Sequence, residues 1–397
     1  MTRRILLLTY YFPPDLSAGS FRATSLVKAL LEESGGDLEI EVITTMPNRY
    51  NSVVSERAAQ REVNGETTIT RIALPPPGSG RLSQVKRFMG FARAAARLAK
   101  AQKYDLVVAT SSRLMTAVLG TYIARKSRSP LYLDIRDIFV ETMLTLSKGK
   151  ISGQLLRVFG LLERWAVRSA DGVNVVSGGF VPYFQERYGQ DIRLDVFTNG
   201  VDESFLADFA PLKAKTDPVL DIVYAGNIGD GQGLDLIIPE LAMRTVGKAR
   251  FRVVGDGGRI DALKSALQAK GVSNVILLPP VARAEVIDIY RDADILFLHL
   301  NDIAAFERVI PSKLFEYAAT GKPILAGVSG FSAKFIAEEI GNAALFNPCD
   351  VEGGLKALEQ LQPGTTNRQA FLDKYDRRAI MSRMAKRLLE VSARGRS

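Results

Sequence analysis

The sequence predicts an α/β protein in which a doubly wound parallel sheet is built twice. Three observations carry that expectation. Apolar runs of strand length without polar alternation recur along the chain, as strands buried on both faces require. Each is followed by a segment of helical spacing, the alternation of a parallel sheet covered on both sides. The cycle stops at a polar, proline-punctuated stretch over 201–218 and begins again, and 397 residues suit two domains rather than one.

Taken in order, RRILLLTYY is the first strand, broken by PPDLSAGS, and FRATSLVKALLEE has helical spacing. LEIEVITT and TTITRIAL read as strands, 81–103 as a helix, YDLVVATSS as a strand and 114–126 as a helix. SPLYLDIRD, a helical stretch at 150–169 and the strand DGVNVVS follow, and LDVFTNGVD closes the first half. In the second half the strands are LDIVYAGNIG, RFRVVGDGG, NVILLPPV, DILFLHL, KPILAGV and NAALFNP. Helices run between them from Leu234, through Ala269, from Ala284 to Arg291, from Ser312 and between KPILAGV and NAALFNP. The expected division is an N-terminal domain 1–200, a linker 201–218, a C-terminal domain 219–365 and a basic C-terminal helix 366–397 that returns to the first domain.

Composition narrows the function. With 47% apolar and 24% charged residues and a mean hydropathy of +0.05, the chain has a soluble globular composition. Cys349 is the only cysteine and His299 the only histidine. A disulfide framework, a cysteine zinc site, an iron–sulfur cluster, a histidine-ligated metal and a Ser-His-Asp triad are thereby set aside. No apolar run reaches the ~18–20 residues of a membrane span, and the apolar start breaks at Pro13 and Pro14, so it reads as a buried strand and not as a signal peptide.

The net charge of +9 is unevenly placed. Residues 1–200 hold 27 Lys and Arg against 18 Asp and Glu, whereas 201–397 hold 25 of each. Residues 81–103 contain seven cations, Arg81, Lys86, Arg87, Arg93, Arg97, Lys100 and Lys103, and no acid. At 3.6 residues per turn Val85, Phe88, Met89, Phe91, Ala92, Ala95, Leu98 and Ala99 spread over one broad side. Such a helix either lies on an anionic membrane surface or packs as an ordinary helix on a sheet. No recognised nucleic-acid motif accompanies the charge, so nucleic acid is not an expected partner.

Ligands of parallel α/β sheets bind at the carboxyl ends of the strands, where helix N-termini offer backbone N–H groups. Glycines stand at those places: Gly19 after the first strand, AGNIGDGQG after the first strand of the second half, and Gly255 to Gly258 after its second. Each also has the simple reading of a tight turn. The fingerprint G-x-G-x-x-G is absent from the first turn of either half, against a dinucleotide enzyme. Asp292 and Asp294 have D-x-D spacing but sit between a helix and a strand, where acids serve as turn residues. His299 ends an apolar strand and is either a cleft residue or a satisfied core histidine.

Read together, YYFPPDLSAGSFR, FTNGVD, YAGNIGDGQGLDLI, RVVGDGG and PSKLFEYAATGKPILA resemble the family 4 retaining glycosyltransferases, and among them the bacterial surface-polysaccharide type. That resemblance implies the GT-B architecture, two Rossmann-like domains facing a central cleft. It implies transfer of a sugar from a nucleotide-sugar, typically UDP-linked, to a lipid-linked or saccharide acceptor, with retention of configuration and with no metal or other cofactor. The first domain then receives the acceptor at the inner face of the cell membrane, and 81–103 meets the anionic leaflet.

The site residues follow from the same resemblance. In PSKLFEYAATGKP, Pro311 fits a helix start, Ser312, Lys313 and backbone amides face a diphosphate, and Glu316 lies one turn on, matching the glutamate that chelates ribose hydroxyls. The partner glutamate position holds Arg308, with Glu307 one residue out of register. The arginine and lysine that neutralise diphosphate fall on Asn227 and Gln232, and Val281 matches a position whose backbone contacts the base. Arg136 replaces the histidine of the first domain, leaving Asp137 as the acid beside the sugar, with Asp134 and Glu141 as neighbours. Asp137 either orients the acceptor and accepts its proton or is a loop carboxylate paired with Arg136. Two other readings stay open: a nucleotide-sugar 2-epimerase on the same fold, and a non-catalytic sugar-nucleotide-binding protein.

Overall fold

A computed structural model describes residues 2–15, 17–47, 58–75, 81–111, 113–146, 153–206, 218–362 and 364–394. The chain divides into two compact units, 1–199 with 377–397, and 200–376. Most of the stretch read as a linker, 207–217, lies outside the described residues.

The first unit is an eight-stranded sheet. Its strands are β1 (Arg3–Thr9), β2 (Leu38–Thr45), β3 (Arg61–Asn64), β4 (Thr67–Ile72), β5 (Leu106–Ser111), β6 (Leu131–Ile135), β7 (Gly172–Val175) and β8 (Leu194–Asp195). They lie in the order β3-β4-β2-β1-β5-β6-β7-β8. All neighbours are parallel except β3 and β4, a hairpin turned at Asn64-Gly65 with Gly65 at φ 56°. Helices α1 (Ala18–Ser34), α2 (Arg81–Ala99), α3 (Leu114–Ser127), α4 (Phe139–Leu146), α5 (Gly153–Ser169) and α6 (Phe180–Tyr188) connect the strands, and α14 (Arg377–Arg394) ends the chain on α1. Ile5 and Leu7 join one apolar cluster with Leu26 and Leu30 of α1 and Met381, Met384 and Leu388 of α14. Leu6 and Leu8, pointing the other way, are equally buried, so β1 is apolar from Ile5 to Leu8 because both of its faces are covered. Gly120 of α3 packs on Ala109 from that second face, where a Cβ would come within 2.6 Å of the alanine's own.

The second unit has six parallel strands: β9 (Leu220–Ala225), β10 (Ala249–Val254), β11 (Val275–Leu278), β12 (Ile295–His299), β13 (Ile324–Gly327) and β14 (Ala343–Phe346). Their order is β11-β10-β9-β12-β13-β14. Helices α7 (Leu234–Arg244), α8 (Ile260–Ala269), α9 (Arg283–Asp292), α10 (Ser312–Ala319), α11 (Gly330–Glu339), α12 (Val351–Gln360) and α13 (Gln369–Tyr375) cover its two faces over separate apolar clusters. In each unit the first strand lies between strands of opposite connection, so the topological switch points fall at β1/β5 and β9/β12.

Several features differ from the sequence expectation. The hairpin strand β3 and the helices α4, α6 and α12 are additional elements. The C-terminal stretch is two helices, because Asp376 is extended at φ -56° ψ 120° and forms a parallel bridge with Val201. Pro311 is the N-cap of α10, outside the first helical turn, at φ -62° ψ 133°. The basic helix α2 buries only Phe88, Phe91, Ala95 and Ala99, a narrower stripe than expected, leaving Val85, Met89 and Leu98 exposed.

Candidate active site

In the second unit the site grows out of two glycine turns packed back to back. Gly226, at φ 141°, follows β9, and Gly255, at φ 144°, follows β10. A Cβ at Gly255 would stand 1.9 Å from the Gly226 oxygen, so backbone lies directly on backbone and neither turn admits a side chain. Gly226 N–H bonds to Val254 O at 2.8 Å, and Ile228 N–H to Asp256 O at 2.9 Å.

The space that Gly226 leaves is filled by Lys313. A Cβ there would meet Lys313 Cε at 2.3 Å, and the Lys313 Nζ lies 3.7 Å from the centre of the Tyr224 ring. Burial pushes this ammonium down to about 7 against the upward pull of Glu316. Part of the residue still meets solvent, so an anion can reach it. Lys313 also sits in the first turn of α10, whose N-cap Pro311 has no side chain to accept the free N–H groups. Cation, helix dipole and open amides therefore converge on one point, an arrangement that favours a phosphate.

One turn on, Glu316 is held by a residue that the sequence motifs do not mark. Arg283, at the start of α9, approaches Glu316 Oε1 at 3.5 Å and Asp202 Oδ2 at 3.0 Å, donates to Ser204 Oγ at 3.2 Å and covers the Phe205 ring at 5.0 Å. Glu316 keeps 17% of its side-chain exposure and so remains open to a ligand. No local pattern singles out Arg283, since its partners lie 33 and 81 positions away in the chain.

The remaining residues of this unit divide in two. Asn227 Nδ2 donates to Gln232 Oε1 at 2.9 Å, which also accepts from Gly229 N–H at 3.1 Å. These two amides tie the loop to itself, whereas the sequence motif has them facing phosphate. His299 closes the same loop from beneath: its Nδ1–H donates to Gln232 O at 2.6 Å and its Nε2 accepts from Cys349 N–H at 2.9 Å. It is 1% exposed, and burial lowers it to about 4, so it is a neutral core clamp. Glu307 and Arg308 lie on a short 3-10 helix, Ala304–Arg308, with Glu307 exposed and its carbonyl against Gly330. Val281 is half-buried against the apolar cluster under α9. Asp294 Oδ2 accepts from Asp221 N–H at 2.6 Å and staples the edge of the sheet.

In the first unit Gly19 lies in the first turn of α1, where a Cβ would stand 2.2 Å from Arg136 Nη1. The guanidinium thus rests on the positive end of a helix, a placement that calls for an anion nearby. Asp137 is exposed one residue on, and Glu141 is in the first turn of α4. Asp134, expected as a neighbour of Asp137, lies instead in the core at 0% exposure. It receives Arg22 Nε and Nη2 at 2.9 Å each, Thr110 at 2.8 Å and Asn174 at 2.7 Å. Arg22 in turn donates to the carbonyls of Phe197 and Thr198 at 2.8 Å, and Arg377 to that of Asn199 at 3.0 Å. Part of the FTNGVD motif is therefore a structural anchor at both points where the chain passes between the units.

With this geometry in hand, the chain can be set beside known proteins. Residues 20–200 match a glycosyl transferase 4-like domain, and residues 220–362 match glycosyl transferases group 1. The putative colanic acid biosynthesis glycosyl transferase WcaI of Escherichia coli is 24% identical over 336 residues, 80% of this chain and 81% of that one. Among solved structures, sucrose-phosphate synthase from Thermosynechococcus elongatus superposes with a TM-score of 0.65 at 15% identity, covering 98% of this chain and 94% of that one. Anabaena HepE, solved in complex with UDP-glucose, gives 0.61 at 16% identity over 99% and 98%. The two domain models together span most of the sequence, and the chain belongs to the family 4 glycosyltransferases of the GT-B fold.

Proposed function

We propose that this glycosyltransferase moves a sugar, with retention of configuration and without a bound metal, from a UDP-linked donor to a lipid-linked or saccharide acceptor in bacterial surface-polysaccharide synthesis. The observation that carries the donor half is α10: a ring-stacked Lys313 at its uncapped N-terminus and an accessible Glu316 one turn later. A cation with open amides suits a diphosphate, and a carboxylate suits the two hydroxyls of a ribose. The names of its relatives agree, since WcaI belongs to polysaccharide biosynthesis and HepE was solved with UDP-glucose. In the acceptor half, Asp137 beside Arg136 is the group we assign to orient the acceptor hydroxyl. Lys86, Arg93 and Arg97 of α2, exposed on a helix without acids, are proposed to hold the protein to the anionic inner face of the cell membrane.

Calorimetric titration with UDP tests the donor half. Glu316→Ala should lose ~1.5–3 kcal/mol of affinity, the value of hydrogen bonds to a charged group, with unfolding unchanged. Unaltered UDP affinity would remove the anchor of this reading. In the matching transfer assay, turnover should persist in EDTA, and manganese-dependent rescue would overturn metal independence.

A further inference from the structure

Unit one carries two basic helical layers that differ in how far their charges are paired. On one side of its sheet α1 and α14 answer each other's charge: Arg378 faces Glu32 at 3.6 Å, Lys386 faces Glu33 at 3.5 Å, and Ser382 donates to Glu33 at 2.6 Å. On the other side α3 packs between α2 and α5. These three helices contain ten Lys and Arg residues and a single acid, Glu163. Glu163 is buried, accepts hydrogen bonds from the Tyr183 and Tyr188 hydroxyls and feels the charge of Arg187, which leaves Arg157 and Arg164 of α5 without a compensating acid on these helices.

Within that basic layer α5 also carries an exposed apolar stripe. Leu155, Val158 and Leu161 recur every three residues along it and are 44%, 49% and 67% exposed. Beside them an open groove of about 460 Å³ runs between α4, α5 and α6, floored by Val140, Leu156 and Leu161 and rimmed by Arg157, Arg164 and Arg187. Among the described residues neither Arg157 nor Arg164 has an ion-pair partner. Arg187 lies over Gly160, where a Cβ would come within 3.3 Å of Nη2, so the glycine in the middle of α5 makes room for that guanidinium. An apolar floor under three arginines is unsuited to a sugar, which needs acceptors as well as donors. It is equally unsuited to a second copy of this strongly basic layer.

We infer that this groove binds a phosphate carried on a hydrocarbon chain, with the arginines on the phosphate and Val140, Leu156 and Leu161 along the first methylenes. Val140 is three residues from Asp137, so a phosphate-linked acceptor seated here reaches towards the residue assigned to its hydroxyl. That last step rests on the proposed lipid-linked acceptor, whereas the chemistry of the groove does not.

The test is calorimetric titration of the whole protein with monododecyl phosphate below its micelle concentration, with inorganic phosphate, and with dodecyl maltoside as a neutral tail. Dodecyl phosphate should bind at least ~10-fold more tightly than inorganic phosphate, since two buried methylenes supply about that factor, and at least ~10-fold more tightly than the neutral tail, since charge-assisted hydrogen bonds to the arginines supply about as much. The double variant Arg157→Gln/Arg164→Gln and, separately, Leu161→Asn should each lose on the order of 10-fold, with UDP affinity unchanged. All three positions are at the surface, so the fold survives. Equal binding of phosphate and dodecyl phosphate, equal binding of the neutral tail, or wild-type affinity in the variants would overturn the assignment. Cosedimentation with phosphatidylglycerol vesicles then separates the two sources of such a phosphate. The groove is assigned to a singly bound lipid, so the double variant should still cosediment, and its loss from the vesicles would give the groove to bulk phospholipid and overturn that assignment. Failure of the donor reading would show elsewhere, as an unaltered UDP affinity in Glu316→Ala.

Discussion

Two charged pairs, Arg22 with Asp134 in the first unit and Lys313 with Glu316 in the second unit, share one plan and serve opposite ends. Each couples a cation on a helix that follows a central strand with a carboxylate a short reach away. Arg22 and Asp134 are 1% and 0% exposed, and every arm of the pair is taken by a named partner. Lys313 and Glu316 are part-exposed, with Tyr224 and Arg283 behind them. A charged pair buried with its hydrogen bonds spent inside the fold is structure, and one that keeps access to solvent can meet a ligand.

The largest effect expected from that contrast is on stability. Arg22→Ala leaves Asp134 ionised, buried and without its cation, and should destabilise the first unit by ~3–5 kcal/mol. The double variant Arg22→Met/Asp134→Leu removes both charges and should recover most of that loss. Denaturant unfolding with UDP binding as a further readout checks both, because the second unit contains neither residue. A mild loss in the single variant, or none recovered in the double, would place the pair with the functional kind.

His299 tests the structural side at intermediate strength. Its folded value of about 4 lies below the ordinary 6.5, so as pH falls the unfolded chain takes up the proton first. The stability due to neutral His299 is complete above pH ~6.5 and drains away down to pH ~4, a total of roughly 3 kcal/mol. His299→Gln lacks this titration. The difference in unfolding free energy between the two proteins should therefore shrink across that window. A difference independent of pH would make His299 a solvated residue of the site after all.

How much of this is legible in the sequence follows the range of the interactions. The strands are readable because parallel strands covered on both faces have continuous apolar centres, as Ile5–Leu8 of β1 and Ile222–Ala225 of β9 do. The glycine turns after β9 and β10 are readable as turns, but their mutual packing, Gly255 on Gly226, is not. The hairpin strand β3 does leave a signal, Asn64-Gly65 between two alternating segments, though it is weak beside the long apolar runs. Helix α4 leaves a weak one: it is short, and only Arg136 and Asp137 separate its apolar start from the preceding strand. The partners of Arg22, Asp134 and Arg283 come from elements that are far apart in sequence. Asp134 resembles a neighbour of Asp137 because adjacency in a strand hides its alternation between faces. Asn227 and Gln232 align with charged positions, yet two facing amides satisfy each other, which no spacing announces.

The smallest effect concerns the functional side and separates Lys313 from an ordinary surface lysine. Free of ligand its ammonium is held at about 7 by burial, so at pH 8 most molecules carry a neutral amine there. A diphosphate arriving at the N-terminus of α10 stabilises the charged form and raises that value. Binding of UDP at pH 8 should then take up close to one proton, roughly 0.9, and affinity should fall by about tenfold per pH unit between 7 and 9 until the bound value is reached. Uridine, with no phosphate, should take up none. Titration calorimetry in two buffers of different ionisation enthalpy counts the protons. Lys313→Arg is the control, because a guanidinium stays charged over this range and keeps the cation without the titration. Uptake of the same size in the arginine variant, or none in the wild type, would mean that the diphosphate does not meet Lys313, and the outward-facing pair would lose its claim to be the donor site.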